Sequence, residues 1–100
     1  MTLGFGGVEA ELLADTVTLV LPVERPQIEA AIRRLRLFPQ LNGYRGRARA
    51  DVSAIVNVAE KLCAMIASDP GLVEVEINPL MVCTTGAVAA DALMHIMETT

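Results

Sequence analysis

The feature that most constrains the fold is a stretch of alternating apolar and polar residues at positions 72–91. Its first half alternates strictly: Val73, Val75 and Ile77 are apolar, and Glu74, Glu76 and Asn78 are polar. A period of two is typical of a strand with one buried and one exposed face. Pro79 has no N–H to donate to a ladder, so the strand must be irregular there or lie at an edge.

The second half of this stretch predicts a hairpin, because residues 84–86 (Thr-Thr-Gly) supply a turn and the chain then returns to Asp91. A strict turn of only the two threonines places Asn78 directly opposite Asp91. A bulge at the glycine, with a positive φ angle, shifts the register by about one residue. In both cases we expect Glu76, Asn78 and Asp91 to lie close together.

Glu76, Asn78 and Asp91 therefore form a candidate metal site. Two carboxylates and one amide oxygen are a hard, all-oxygen set, suited to Mg²⁺ that keeps some waters and bridges phosphates. Solvated glutamates on an outer strand face, with Asn78 merely ending the strand, explain the same residues. Spacing alone leaves both interpretations open.

Composition limits the classes of protein to consider. The chain has 100 residues, which is one domain at most, and 53% of them are apolar. A small domain that covers its own core usually has about 45–50%, so some apolar surface is expected to meet another domain or another copy. A formal net charge of −4 makes general nucleic-acid binding a poor hypothesis. Without a signal peptide or a membrane-length apolar run, the expected location is the cytoplasm.

The first part of the chain is predicted to contain two strands. Residues 1–7 are glycine-rich and read as a flexible chain start, because the phosphate-loop pattern G-x-x-x-x-G-K-S/T is absent. Residues 8–14 predict a strand, with a helix as the rival interpretation. Residues 16–23 predict a clearer strand because they are rich in β-branched side chains, and the two strands are expected to form a hairpin.

Two helices are predicted next, separated by a long basic loop. Residues 25–37 carry an apolar stripe at helical spacing, and residues 52–68 carry a second one behind an Asp51 cap. Residues 38–50 are predicted to be irregular and carry arginines at positions 45, 47 and 49. These guanidinium groups either hold phosphate or carboxylate bidentately or are simply solvated.

The predicted order is therefore ββααββ in a single domain, residues 1–100. It implies an α+β fold with an antiparallel four-stranded sheet and two helices on one face. Cys63 and Cys83 are expected to be reduced thiols. His95, the only histidine, is expected to be partly buried rather than catalytic.

Three ordered motifs show a family resemblance that runs from Gly4 to about Leu93. GFGGVEAELLAD, LRLFPQLNGYRGRARAD and PGLVEVEINPLMV resemble the G-x-G-G, R-x-x-P-L-L-x-G-x-R-G and E-I-D-I-N-P-L segments of NDP-forming acyl-CoA synthetases. The resemblance is to the ATP-grasp domain of ADP-forming acetyl-CoA synthetase and of the succinyl-CoA ligase beta subunit. One departure is Ala48, where that family usually has proline.

The resemblance implies the second, C-terminal half of an ATP-grasp domain, in an enzyme that makes acyl-CoA from a carboxylic acid, CoA and ATP. A phosphohistidine carries the phosphoryl group in that family. By resemblance, Asn78 and Asp91, with Glu76 beside them, bind Mg²⁺. Glu11 faces the nucleotide, ATP or ADP, while Arg45 and Arg47 touch its phosphates. None of these residues is expected to be catalytic in the covalent sense.

The family's adenine-binding half, CoA-binding domain and phosphohistidine segment find no counterpart in the sequence. The expectation is a fragment, a subunit or a decayed copy, inactive alone and needing the missing half and a CoA-binding domain or subunit as partners. The alternative is a standalone, non-catalytic remnant that self-associates as an interaction or regulatory module. A homodimer or a hetero-oligomer fits either case.

Overall fold

The computed structural model describes residues 1–5, 16–43, 49–77, 80–89 and 91–96. Within those ranges the chain forms short strands around three helices. The elements in chain order are β1 (Thr2–Gly4), β2 (Thr16–Thr18), α1 (Arg25–Arg33), α2 (Phe38–Leu41), α3 (Val52–Ser68), β3 (Leu72–Ile77), β4 (Leu80–Val82), β5 (Ala87–Ala89) and β6 (Ala92–Ile96). The predicted α+β class is confirmed. No helix in the described ranges is both long enough and apolar enough to span a bilayer.

The predicted four-stranded sheet is wrong for the described part of the chain. There the strands form three separate antiparallel pairs, β1 with β2, β3 with β6 and β4 with β5. The strand expected over residues 16–23 ends at Thr18, four residues before Pro22, whose ring nitrogen has no hydrogen to donate to a ladder. The strand expected over residues 8–14 lies outside the described residues.

The chain start is a paired strand, which corrects the expectation of a flexible segment. Thr2 pairs with Thr18, and their hydroxyls lie 3.2 Å apart. The amino group of Met1 donates to the carbonyl oxygen of Leu19 over 2.6 Å, and Leu19 N donates back to Met1 over 2.6 Å. These cross-strand contacts hold β1 and β2 together, so the start of the chain is ordered by pairing with residues that follow more than a dozen positions later.

The core forms where α1 crosses α3. Its buried cluster consists of Ile28, Ile32, Val56 and Ala59. Their spacing along each helix places them on one side of it, as the apolar stripes predict. α1 also packs on β1 and β2, whereas α3 packs on β3 and β4. The two helices therefore connect the amino-terminal strand pair to the carboxyl-terminal strands.

A polar contact fixes α1 against α3 at the rim of the core. Arg25, in the first turn of α1, donates from Nη1 to Asn57 Oδ1 over 2.8 Å and also contacts Glu60. A second ion pair joins Arg25 Nε to Glu29 over 3.5 Å. These side chains are partly exposed, so each ion pair contributes at most about 1 kcal/mol and chiefly orients the two helices.

The helix boundaries confirm one prediction and correct two others. α3 has the predicted bounds, with the Asp51 cap in place. α1 ends at Arg33 rather than Leu37, although Leu35 beyond it is buried. The segment predicted to be irregular contains α2, which has Pro39 in its first turn, a position where proline stabilises a helix start.

Candidate functional site

The hairpin between β3 and β6 keeps one register from Glu74 to its turn, after a one-residue shift between Leu72 and Glu74. Ile77 pairs with Ala92 on one side, and Leu80 pairs with Ala89 on the other. Two residues lie between these pairs on each strand, so neither strand gains a residue relative to its partner. This is the register that a strict two-residue turn predicts. The residues between the pairs include Asn78, which lies outside the described residues.

The turn itself combines the two alternatives that the sequence left open. Cys83 N donates to the carbonyl oxygen of Gly86 over 3.0 Å, so only Thr84 and Thr85 lie between the flanking residues. Gly86 nevertheless has a positive φ angle of 87°. The register does not slip, because Val82 still pairs with Ala87. A Cβ on Gly86 would meet nothing within 4 Å, so it is φ, rather than space, that favours glycine here.

Two of the three predicted metal ligands are described. Glu76 lies on β3 opposite Leu93, and Asp91 immediately precedes β6, with its Oδ1 accepting a 2.8 Å hydrogen bond from Ala92 N. Asp91 is two residues from Leu93, so strand alternation predicts that it shares a face with Glu76, at a diagonal Cβ distance of about 7–8 Å or less.

Both of these carboxylates are exposed. Their oxygen chemistry suits a hard cation. In the described ranges no three acidic, cysteine or histidine side chains are grouped so that they can hold a metal. The three-ligand site, which includes Asn78, therefore stays a prediction.

The predicted nucleotide-binding residues Glu11, Arg45 and Arg47 lie outside the described residues. The third arginine of the basic loop, Arg49, is exposed and lines an open cleft of about 350 Å³. The other residues along this cleft are Phe5, Gln40, Leu41, Ala50, Val82, Cys83 and Thr84. The end of the basic loop thus lies beside the hairpin turn, a proximity that the sequence did not predict.

Asp51 joins this loop end, the start of α3 and the hairpin turn. Its Oδ1 accepts from Ala54 N over 3.1 Å, which is the predicted helix cap. Its Oδ2 accepts from Gly86 N over 2.7 Å, and its own N–H donates to the carbonyl oxygen of Cys83 over 2.8 Å. We call the two hydrogen bonds to Cys83 and Gly86 the Asp51 clamp. The bond from Gly86, followed by that from Ala54, lowers the pKa of the Asp51 carboxyl.

Sequence reasoning identified Asp51 only as a cap. The one available signal was chemical: a carboxylate has two oxygens, and a helix cap uses one of them. His95 also departs from expectation, because it is exposed opposite Glu74 rather than partly buried.

Large apolar side chains are exposed along the hairpin. Between 49% and 64% of each is accessible in Val73, Met81, Val88, Leu93, Met94 and Ile96. We call these six residues the hairpin apolar patch, which extends over both faces of the strands, because Leu93 pairs with Glu76 and Met94 pairs with Val75. A patch of this kind on a small domain is typical of a surface that meets another protein surface.

Comparison with known proteins gives one consistent result. A family model described as an ATP-grasp domain matches residues 1–96. The chain is 37% identical, over 95 residues, to acetate–CoA ligase [ADP-forming] II of Archaeoglobus fulgidus. It is 30% identical, over 91 residues, to the beta subunit of acetate–CoA ligase [ADP-forming] I of Pyrococcus furiosus. These matches cover 95% and 91% of the chain but only 14% and 39% of the two relatives.

A solved structure agrees with the sequence relatives. The acetyl-coenzyme A synthetase 1 of Ca. Korarchaeum cryptofilum, in complex with coenzyme A and Mg-AMPPCP, superposes with a TM-score of 0.87 at 26% identity. The superposition covers 97% of this chain and 45% of that one. The chain is thus similar over nearly its whole length to less than half of the solved structure.

Proposed function

Because the chain belongs to the ATP-grasp domain family, we propose that it is the metal- and nucleotide-phosphate-binding portion of an ADP-forming acyl-CoA synthetase. It is inactive as a ligase on its own. The observation that carries this proposal is the common register of the two hairpin ladders, with Ile77 opposite Ala92 and Leu80 opposite Ala89. That register favours a shared face for Glu76 and Asp91.

The proposed roles follow from side-chain chemistry. Glu76, Asn78 and Asp91 offer oxygen atoms to Mg²⁺, and Mg²⁺, when bound, neutralises charge on the phosphoryl oxygens of ATP or ADP. Arg45 and Arg47 contact the phosphates, because a guanidinium group donates two parallel hydrogen bonds to such oxygens.

In the same proposal Glu11 lies toward the nucleotide. The assignments of Glu11, Arg45 and Arg47 rest on the family motifs in the sequence.

Partners are part of the same proposal, because the chain spans 14% of one relative and 39% of another. The other ATP-grasp half supplies adenine binding. A CoA-binding domain or subunit supplies the acyl and CoA chemistry. The chain then acts within a hetero-oligomer or a longer polypeptide, and acyl-CoA forms only when those parts are present.

Calorimetric titration of Mg²⁺·ATP and Mg²⁺·ADP into the purified chain tests the proposal. The parent is expected to release or absorb heat that saturates, and Asp91→Ala is expected to abolish it. Glu74→Ala is the matched control, since Glu74 is an exposed carboxylate on the same strand that pairs with His95, four residues along the chain from Asp91. A parent that gives no saturable heat, or an Asp91→Ala variant that binds as the parent does, contradicts the proposal.

A second candidate function is a non-catalytic module that self-associates as a homodimer. The hairpin apolar patch favours it, because six large apolar side chains are about half exposed or more. Sedimentation velocity is expected to show a dimer that does not depend on Mg²⁺ or nucleotide. Met94→Asp is expected to dissociate it, since Met94 is exposed opposite Val75, on the face away from Glu76. A parent chain that stays monomeric at high concentration excludes this candidate.

A further inference from the structure

Little of the return arm of the hairpin, described over residues 87–89 and 91–96, is buried. All five residues of β6 are exposed, as are Val88 and Ala89 on β5. The β4–β5 ladder has only three pairs. A two-stranded hairpin of this size is marginally stable at best by itself in water. The position of the arm that carries Asp91 therefore depends strongly on its pairing and on its turn.

Register matters for Asp91 because strand alternation has a period of two. A slip of one residue on the return arm moves every side chain on it to the opposite face. Asp91 would then face away from Glu76, and the two carboxylates would no longer approach one cation. The β3–β6 ladder sets this register from one side of Asp91 and the turn sets it from the other, so whatever fixes the turn helps to fix the geometry of the proposed metal site.

The Asp51 clamp holds both residues that flank this turn. Gly86 N donates to Asp51 Oδ2 over 2.7 Å, and the Cys83 carbonyl accepts from Asp51 N over 2.8 Å. One residue at the start of α3 thus holds the last residue before the turn and the first residue after it. Only the two threonines lie between them, so a change of register at the turn must break at least one bond of the clamp.

We propose that Asp51 is a positioning residue whose clamp holds the hairpin in the register that brings Asp91 to the face of Glu76, an inference that rests on the proposed function. The same junction also closes the basic loop, since Ala50 N donates to the Leu41 carbonyl oxygen over 2.8 Å. The loop that carries the arginines and the hairpin that carries the carboxylates therefore share one anchor.

Two substitutions separate the clamp from the helix cap. Asp51→Asn and Asp51→Ser both preserve a good cap, because asparagine, serine and aspartate are equivalent at this position. Neither preserves the Gly86 bond in addition to the cap, since each offers a single side-chain oxygen where aspartate offers two, whereas the backbone bond from residue 51 to Cys83 stays in both. Asp69→Ser is the matched control: Asp69 also accepts a backbone hydrogen bond, 2.9 Å from Gly71 N, at the far end of α3.

The first measurement is amide hydrogen exchange by NMR, with cross-strand contacts recorded between Ile77 and Ala92. In both Asp51 variants the Gly86 amide is expected to exchange at least about tenfold faster, a loss of about 1.4 kcal/mol of local protection. In both Asp51 variants the Ala54 amide is expected to exchange at the parent rate. In the Asp69→Ser control the Gly86 amide is expected to do so as well. Parent-like exchange at Gly86 in both Asp51 variants overturns the clamp.

The second measurement is the Mg²⁺·ATP titration of the same proteins. A residue that positions metal ligands is expected to weaken binding by about 10–100-fold when it is lost. Parent-like affinity in both Asp51 variants overturns the positioning role while the proposed function stands. A parent that binds no Mg²⁺·ATP overturns the proposed function and the positioning role with it, and Gly86 exchange still decides separately whether the clamp exists.

Discussion

The Asp51 carboxylate accepts a 2.7 Å hydrogen bond from the backbone N–H of Gly86, a residue 35 positions further along the chain. This bond joins the start of α3 to the turn of the hairpin. Together with the bond from Ala54, it lowers the pKa of the Asp51 carboxyl in the folded protein. The contact therefore has a consequence for stability that depends on pH.

Lowering the pH should reduce the free energy of unfolding of the parent more than that of Asp51→Asn. The folded pKa of Asp51 lies below its unfolded value of about 3.9, so the stabilisation is fully present above that pH and is lost as pH falls through the folded pKa. Urea unfolding between pH 6 and pH 2.5 measures this. The difference in free energy of unfolding between parent and Asp51→Asn is expected to shrink below about pH 4. A difference that stays constant over this range contradicts the prediction.

Gly86→Ala should destabilise the protein although the site has room for a methyl group. The φ angle of 87° lies in the left-handed region, where a residue with a Cβ is disfavoured by about 1–2 kcal/mol. Urea unfolding of Gly86→Ala is expected to show a loss of that size. Gly86→Asn is the control, because asparagine adopts left-handed conformations more readily, and it should lose less. Equal losses in the two variants would point away from φ as the cause.

Sequence reasoning was most successful where structure is determined locally. The bounds of α3 follow from Asp51 at one end and the Asp69-Pro70-Gly71 stop at the other, with an apolar stripe between them. The hairpin was predictable for the same reason, because alternation and turn residues lie within one continuous stretch.

Nonlocal contacts account for what was missed. β1 is three residues long and exists because Thr2 and Leu3 find partners at Thr18 and Val17, which no periodicity in residues 1–7 indicates. The clamp between Asp51 and Gly86 is equally nonlocal. A cap residue looks the same in sequence whether its second oxygen meets water or another segment of the chain.

Truncating the buried core should cost far more stability than truncating the surface. Ile28 is fully buried between α1 and α3, so Ile28→Ala removes packed methyl groups and leaves a cavity that costs about 2–5 kcal/mol. Val20 is 88% exposed, and Val20→Ala should change the free energy of unfolding by no more than about 0.5 kcal/mol. Chemical denaturation monitored by circular dichroism measures the free energy of unfolding of both variants and of the parent. A loss below 1 kcal/mol for Ile28→Ala would mean that this helix contact is not the core.

The two cysteines should react with thiol reagents at clearly different rates. Cys83 flanks the hairpin turn and is exposed, whereas Cys63 on α3 is half-buried, and burial raises the pKa of its thiol. Because the thiolate is the reactive form, the raised pKa slows the reaction of Cys63, and its thiol is also less accessible than that of Cys83. Labelling with a chromogenic disulfide is expected to show a fast phase that Cys83→Ser removes and a slow phase that Cys63→Ser removes. Urea should merge the two phases as the fold is lost, and a fast phase that persists in Cys83→Ser contradicts the assignment.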